Sequence, residues 1–319
     1  MLKIFTITLA VFVGLFGLAL TWGGPRPIEA MPSINQPFVG VDNSTQPAMS
    51  HFTARDGTAL AWASYPGLVA VGDKPQRRIV LVHGSSAGAK SMHTLARALA
   101  DAGFQVAALD IRGHGDSGPR GTIGYIGQLE DDLQDFMRAA PFEGPSTLLG
   151  FSSGAGFVLR MAGSDRQALF DRYVLLSPFL GHDAPTAQAG PSSWASVGTA
   201  RIVALTALNA LGITHWNDLP VLRFTLDDYG RQHLTPFYSY AVMANFGVYR
   251  DYAGAVRRSK GDLRVLAGRN DELIQASLLA ETFAKAGRPL TVTLVDGVTH
   301  IGMILDAPAV AAAVQACRE

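Results

Sequence analysis

A single cysteine, Cys317, stands in a chain of 319 residues. That excludes a framework of intrachain disulfides and a structural zinc site built from several thiolates. Neither sign of charge is in excess, with 26 Lys and Arg against 26 Asp and Glu. A nucleic-acid binder needs surplus basic groups to neutralise phosphate, so nucleic acid is not an expected partner. No Gly-x-x-x-x-Gly-Lys loop occurs, and no nucleotide or other cofactor is expected. His51, His93, His182, His215 and His233 show no His-Glu-x-x-His or other paired ligand spacing, so no metal is expected either. Charged residues are scarce, 16% against 48% hydrophobic, which excludes a disordered chain.

Among what is present, the first feature is an uncharged run from Ile4 to Trp22, 19 residues rich in Leu, Val, Phe and Ile, behind Lys3. As a helix it would rise about 28 Å, close to the hydrocarbon thickness of a bilayer. It is longer than the usual apolar stretch of a signal peptide, and Lys3 favours an N-terminus held inside. Residues 1–22 are therefore expected to be a signal-anchor, a transmembrane helix that leaves the rest of the chain membrane-anchored as an extracytoplasmic, periplasmic-type domain. The alternatives are a cleaved signal peptide and a secreted protein, or a helix buried in the core. Residues 23–50 read as a linker, because Pro25, Pro27, Pro32, Pro37 and Pro47 lie among Gly, Ser, Asn and Gln without periodicity. Residues 51–319 then form one domain, with no internal repeat.

In that domain, short apolar runs alternate with helical periodicities. Residues 78–82, 105–111, 147–151, 173–176, 263–267 and 290–295 read as strands. Residues 87–102, 126–138 and 154–162 read as helices. In the second helix, Glu130, Asp131, Asp132 and Asp135 oppose the apolar positions and are expected to form a solvated face. Such alternation predicts an α/β fold with a mostly parallel sheet flanked by helices, whose C-terminal strand ends build the site.

Those strand ends carry the chemistry. Gly-x-Ser-x-Gly occurs twice, at 84–88 and 150–154. The pattern has meaning where a strand turns sharply into a helix with serine at the turn. The second match fits best: 147–149 feeds it, and Ala155 to Leu159 leaves it as a helix whose N–H groups face the serine. A nucleophilic serine needs a base, and the base needs an orienting carboxylate. Asp271 follows the strand at 263–267 and His300 follows the strand at 290–295. The order Ser152, Asp271, His300 suits this architecture. Asp183 and Glu272 are alternative orienters.

Together these pieces resemble the α/β-hydrolases, and among them the monoglyceride lipase and lysophospholipase-like serine hydrolases. The resemblance rests on Leu-Val-His-Gly-Ser-Ser at 81–86, Leu-Asp-Ile-Arg-Gly-His-Gly-Asp-Ser-Gly at 109–118, Gly-Phe-Ser-Ser-Gly at 150–154, Arg-Asn-Asp-Glu at 269–272 and Gly-Val-Thr-His at 297–300. It implies an oxyanion hole from backbone N–H groups near Ser85 and of Ser153, which puts Ser86 in the oxyanion loop and makes Ser152 the nucleophile. It also implies a structural role for His114. Phe151 departs from lipase-like members, which often carry His there.

Residues 181–254 fit the resemblance least and are expected to be a helical lid insert. They hold ten of the 28 aromatic residues in 74 positions, enough for the insert's own core or for lining an apolar pocket. The expected activity is hydrolysis of a lipid-like carboxylic ester, a monoacylglycerol or a lysophospholipid, through an acyl-enzyme. Thioester, amide or acyl-transfer chemistry would use the same residues. A catalytically idle membrane-tethered binding module is the alternative from another class.

Overall fold

The computed structural model describes residues 14–29, 36–67, 77–188, 194–248 and 250–318. An eight-stranded sheet is built in chain order from β1 (Met49–Thr53), β2 (Ala59–Tyr65), β3 (Arg78–Val82), β4 (Gln105–Leu109), β5 (Ser146–Phe151) and β6 (Arg172–Leu176). After an insert it is completed by β10 (Asp262–Gly268) and β11 (Val292–Val295). The spatial order is β1-β2-β4-β3-β5-β6-β10-β11, antiparallel only at β1/β2 and β2/β4. The strands on either side of Ser152 and His300 are parallel, so their C-terminal ends share one edge.

Both faces of the sheet are covered, which explains the lack of polar alternation in its central strands. Along β3, Ile79 and Leu81 enter one core and Val80 and Val82 the other. Helix α1 (His93–Asp101) places Leu95 and Leu99 on the first side. Helices α2 (Gln128–Ala139) and α3 (Ser153–Ala162) cover the second, with Leu129, Leu133 and Phe136 at helical spacing and Phe157 beside them.

The acidic side of α2 is not a solvated face. Glu130, Asp131, Asp132 and Asp135 are all buried. Arg112 binds Asp132 at 2.7 Å and Asp56 at 2.9 Å, Arg55 binds Asp131 at 2.8 Å and Asp135 at 2.9 Å, and Arg160 pairs with Glu130. Periodicity shows that a helix has a polar side but not what lies on it. Here the turn between β1 and β2, carrying Arg55 and Asp56, covers that side. Losing one partner would strand a buried charge, which costs more than the pair itself contributes.

Between β6 and β10 the chain leaves the sheet and returns to pair the two strands directly. The insert is not purely helical. It contains a three-stranded antiparallel sheet of β7 (Ala195–Val197), β8 (Pro220–Phe224) and β9 (Phe237–Ser239), besides α4 (Thr199–Ala210) and three shorter helices. In β8 the apolar Val221 and Phe224 are buried while Arg223 is exposed, a pattern too short to distinguish from a loop by sequence.

Residues 1–13 of the expected anchor lie outside the described residues. Residues 14–22 are helical and end against α4, where the Arg201 guanidinium donates to the carbonyls of Leu20 at 2.8 Å and Thr21 at 2.9 Å. Among the described residues no helix is long and apolar enough to cross a membrane.

Candidate active site

Ser152 sits between the end of β5 and the start of α3, at φ 56° and ψ −121°. That left-handed backbone costs a serine roughly 1–2 kcal/mol and points its side chain out of the sheet edge. The flanking glycines are steric requirements. A Cβ on Gly150 would strike the carbonyl oxygen of Gly154, and one on Gly154 would strike that of His83. The Ser152 hydroxyl does not cap the helix. It lies 3.0 Å from His300 Nε2 instead.

His300 and Asp271 arrive on the loops that follow β11 and β10. His300 Nδ1 is 2.8 Å from Asp271 Oδ2, and both side chains are shut away from water. The carboxylate fixes the proton on Nδ1, which turns the Nε2 lone pair to the serine. Asp271 Oδ1 accepts from the backbone N–H groups of Leu273 at 2.9 Å and Ile274 at 3.0 Å. Burial disfavours the charge on Asp271, but the neighbouring imidazole and the Leu273 N–H help outweigh it and hold the carboxyl below its usual range. Glu272, the other nearby candidate orienter, accepts instead from the backbone N–H of His300 at 2.9 Å. The Phe151 ring leans on the imidazole at 4.9 Å.

The residues expected at an oxyanion hole meet at the same edge. As the first residue of α3, Ser153 has a backbone N–H with no intrahelical acceptor. Its hydroxyl lies 2.5 Å from that of Ser85, and both residues line the cavity over Ser152. The Gly84 carbonyl is held by His83 Nδ1 at 2.7 Å. Ser86 is also left-handed, at φ 67°, but it is fully buried and its hydroxyl donates to the Thr235 carbonyl at 2.6 Å. His114 is buried among backbone carbonyls and Tyr238, away from the serine. Burial and the neighbouring His83 push its pKa well below the ordinary value, so it is neutral.

A cavity of about 830 Å³ opens on Ser152 and His300. Its apolar wall combines Phe179, Trp194, Leu222, Phe224, Met243 and Phe246, all but Phe179 and Met243 reaching it from strands or turns of the insert. The insert's aromatics thus divide: some line the cavity, while Trp216 faces solvent. The side chains of Tyr229 and Tyr249 lie outside the described residues. Sequence reasoning missed Glu272's backbone contact, having read that residue only as an alternative orienter, and Tyr238's place beneath the loop, since Tyr238 belongs to no motif.

Residues 73–305 match the family model described as serine aminopeptidase, S33. The chain belongs to that family of α/β-hydrolases. Solved structures agree on the fold. A monoglyceride lipase from Saccharomyces cerevisiae superposes with a TM-score of 0.61 at 15% identity, covering 85% of this chain and 94% of that one. A monoacylglycerol lipase from Paleococcus ferrophilus gives 0.57 at 20% identity, covering 81% and 99%. A deformylase from Pseudomonas putida S16 gives 0.58 at 21% identity, covering 84% and 100%. At these identities the likeness carries the hydrolase's fold, and its substrate has to be argued from its own site.

Proposed function

We propose that this hydrolase cleaves carboxylic esters through an acyl-enzyme on Ser152. The observation that carries the reading is the unbroken relay from Ser152 Oγ to His300 at 3.0 Å and on to Asp271 at 2.8 Å. Ser152 Oγ attacks the acyl carbonyl while His300 Nε2 takes its proton. Asp271 stabilises the resulting imidazolium, and the backbone N–H groups of Ser85 and Ser153 stabilise the oxyanion. Collapse expels the alcohol, which takes the proton from His300. Water, deprotonated by the same histidine, then releases the acid and restores the serine.

The apolar cavity supports a lipid-like acyl group such as that of a monoacylglycerol or lysophospholipid. Each buried methylene contributes about 0.8 kcal/mol, or roughly fourfold in kcat/KM if it is buried in the transition state. With p-nitrophenyl esters from C2 to C12, kcat/KM is expected to rise to at least the octanoyl ester. A steady fall beyond butyryl would mean a small-ester pocket and end the lipid-like assignment.

We also propose that the chain is membrane-anchored with its domain on the extracytoplasmic side. The run from Ile4 to Trp22 supports this, as do Leu15, Leu18 and Trp22 standing exposed beside α4. The exposed positions of α4 itself, Thr199, Ala200, Val203, Ala207 and Ala210, carry no charge. Full-length protein is expected to stay with membranes through carbonate extraction. A mature N-terminus near residues 22–31 would replace the anchor by a cleaved signal.

A further inference from the structure

We propose that Thr235 and Tyr238 of the insert are positioning residues for the oxyanion loop, so that the insert sets the geometry of the hole as well as covering it. The inference rests on the ester-hydrolase reading above. Ser86 follows Ser85, the oxyanion donor in that reading, and is fully buried in a left-handed conformation that a serine does not adopt unaided. Its backbone N–H donates to the Tyr238 hydroxyl at 2.7 Å. Its carbonyl accepts from the Thr235 N–H at 2.7 Å, and its hydroxyl donates to the Thr235 carbonyl at 2.6 Å. Every one of these three bonds comes from the insert. Left unmade in a buried site, each would cost desolvation without return, so the loop's conformation depends on the insert being seated.

The direction of the Tyr238 bond follows from its far side. His114 Nδ1 faces two carbonyl oxygens, those of Ile111 and Arg112, both at 3.2 Å. Carbonyls only accept, so Nδ1 carries the proton and Nε2 is an acceptor. Tyr238 therefore donates to His114 Nε2 at 2.7 Å and uses its lone pair for the Ser86 N–H. A hydroxyl that donates to one partner becomes a better acceptor for the other, so the relay strengthens the hold on Ser86. Two peptide planes bracket Ser85. One is fixed at the Gly84 carbonyl by His83, the other at the Ser86 N–H by Tyr238. The Ser85 N–H shares the first plane with the Gly84 carbonyl, and the Ser85 Cα joins that plane to the one held by Tyr238. The Tyr238 ring packs edge-on against Phe224 at 4.7 Å, so removing the hydroxyl alone leaves the packing in place.

The test is Tyr238→Phe in the full chain. With p-nitrophenyl butyrate, kcat is expected to fall roughly 10–100-fold, less than the loss of an oxyanion donor outright, with KM within twofold. Inhibition by a butylboronic acid, whose tetrahedral adduct places oxygen in the hole, should weaken by the same factor as kcat/KM. A merely structural role would lower the melting temperature without that matched loss. Equal kcat in a folded Tyr238→Phe would overturn the proposal, as would a drop in kcat with unchanged boronic acid affinity. Should Tyr238→Phe not fold, His114→Leu removes the acceptor and is expected to lose part of that factor, because the Tyr238 hydroxyl still accepts from Ser86 but more weakly, and His114→Gln, which restores an acceptor, to regain most of it. Equal activity in these two variants would also overturn it. Wild-type protein that fails to hydrolyse the ester at all would count against the enzyme reading itself, before any variant is compared.

Discussion

The same five-residue pattern occurs at 84–88 and at 150–154, and its two serines share a left-handed backbone, φ 67° at Ser86 and φ 56° at Ser152. Beyond that they diverge. Ser86 is buried with its hydroxyl spent on the Thr235 carbonyl, while Ser152 faces a cavity and an imidazole. Strained backbone alone therefore does not bring a serine hydroxyl to an imidazole. What separates the two is the neighbour each hydroxyl meets, and that is decided by which strand each loop follows. The 150–154 turn ends β5 and starts α3, at the edge reached by the loops after β10 and β11. The 84–88 turn is pinned beneath the insert.

The largest effect expected from breaking this contrast is on the serine itself. Ser152→Ala should lower esterase kcat by roughly 10⁴–10⁶ while leaving the melting temperature near that of the wild type. Steady-state kinetics with calorimetry on the same samples checks both halves. Next in size, Asp271→Asn should cost roughly 10³–10⁴ in kcat, because an amide no longer enforces the Nδ1 proton on His300. Activity within tenfold of the wild type would pass the orienting role to another carboxylate.

The glycines sharpen the contrast through stability. A Cβ at Gly150 or Gly154 would run into backbone carbonyl oxygen that has nowhere to go, and each alanine variant should lose about 3 kcal/mol in urea unfolding. At Gly84 the nearest atoms belong to the Phe151 ring at 3.1 Å, a milder overlap than the closer approach to backbone oxygen at Gly150 and Gly154, so Gly84→Ala should lose only about 1 kcal/mol. Equal losses in the two turns would mean the copies are under the same constraint.

Acid should act on the first loop before the second. Burial lowers the pKa of His83 and pushes that of His114 well below the ordinary value near 6.5. The unfolded chain then binds protons that the folded one refuses, so stability falls as pH drops below about 6.5 and stops falling only at the lower folded pKa. The limiting slope is about 1.4 kcal/mol per pH unit for each histidine. Denaturant midpoints that stay flat from pH 7 to pH 5 would contradict this. Asp271, held below its usual range, favours the fold above the unfolded carboxyl pKa near 4, and that support is lost only as pH falls through its lower folded value. The smallest change is expected from Ser86→Ala, about 1 kcal/mol of stability and less than tenfold in kcat, since it removes one of the three bonds at that residue.

How much of this could be read from residues alone follows the same division between local and distant causes. The strands β3, β5 and β6 are continuous apolar runs, and the turn at Ser152 carries its own glycines, so both were legible. Asp271 and His300 each follow a strand, which is why the sequence offers them as candidates, and the fold brings both beside Ser152. The β1–β2 hairpin was not legible: β1 is largely exposed, and β2 is Ala-rich, with little β propensity of its own. The acids of α2 were misread as solvated because the arginines that bury them come from 55, 112, 160 and 166, none adjacent on the helix. The insert's sheet depends on pairing between segments such as Ala195 with Phe224, and the hold of Tyr238 on Ser86 on a contact 152 residues apart. No local pattern encodes them.

One measurement bears most directly on the contrast between the two serines. Full-length wild-type protein is treated with a fluorophosphonate at neutral pH, digested, and its adduct mapped by mass spectrometry. The account requires the phosphonyl group on Ser152 alone, with labelling abolished in Ser152→Ala and retained in Ser86→Ala. An adduct on Ser86, or no adduct in a sample that still hydrolyses p-nitrophenyl esters, would contradict it.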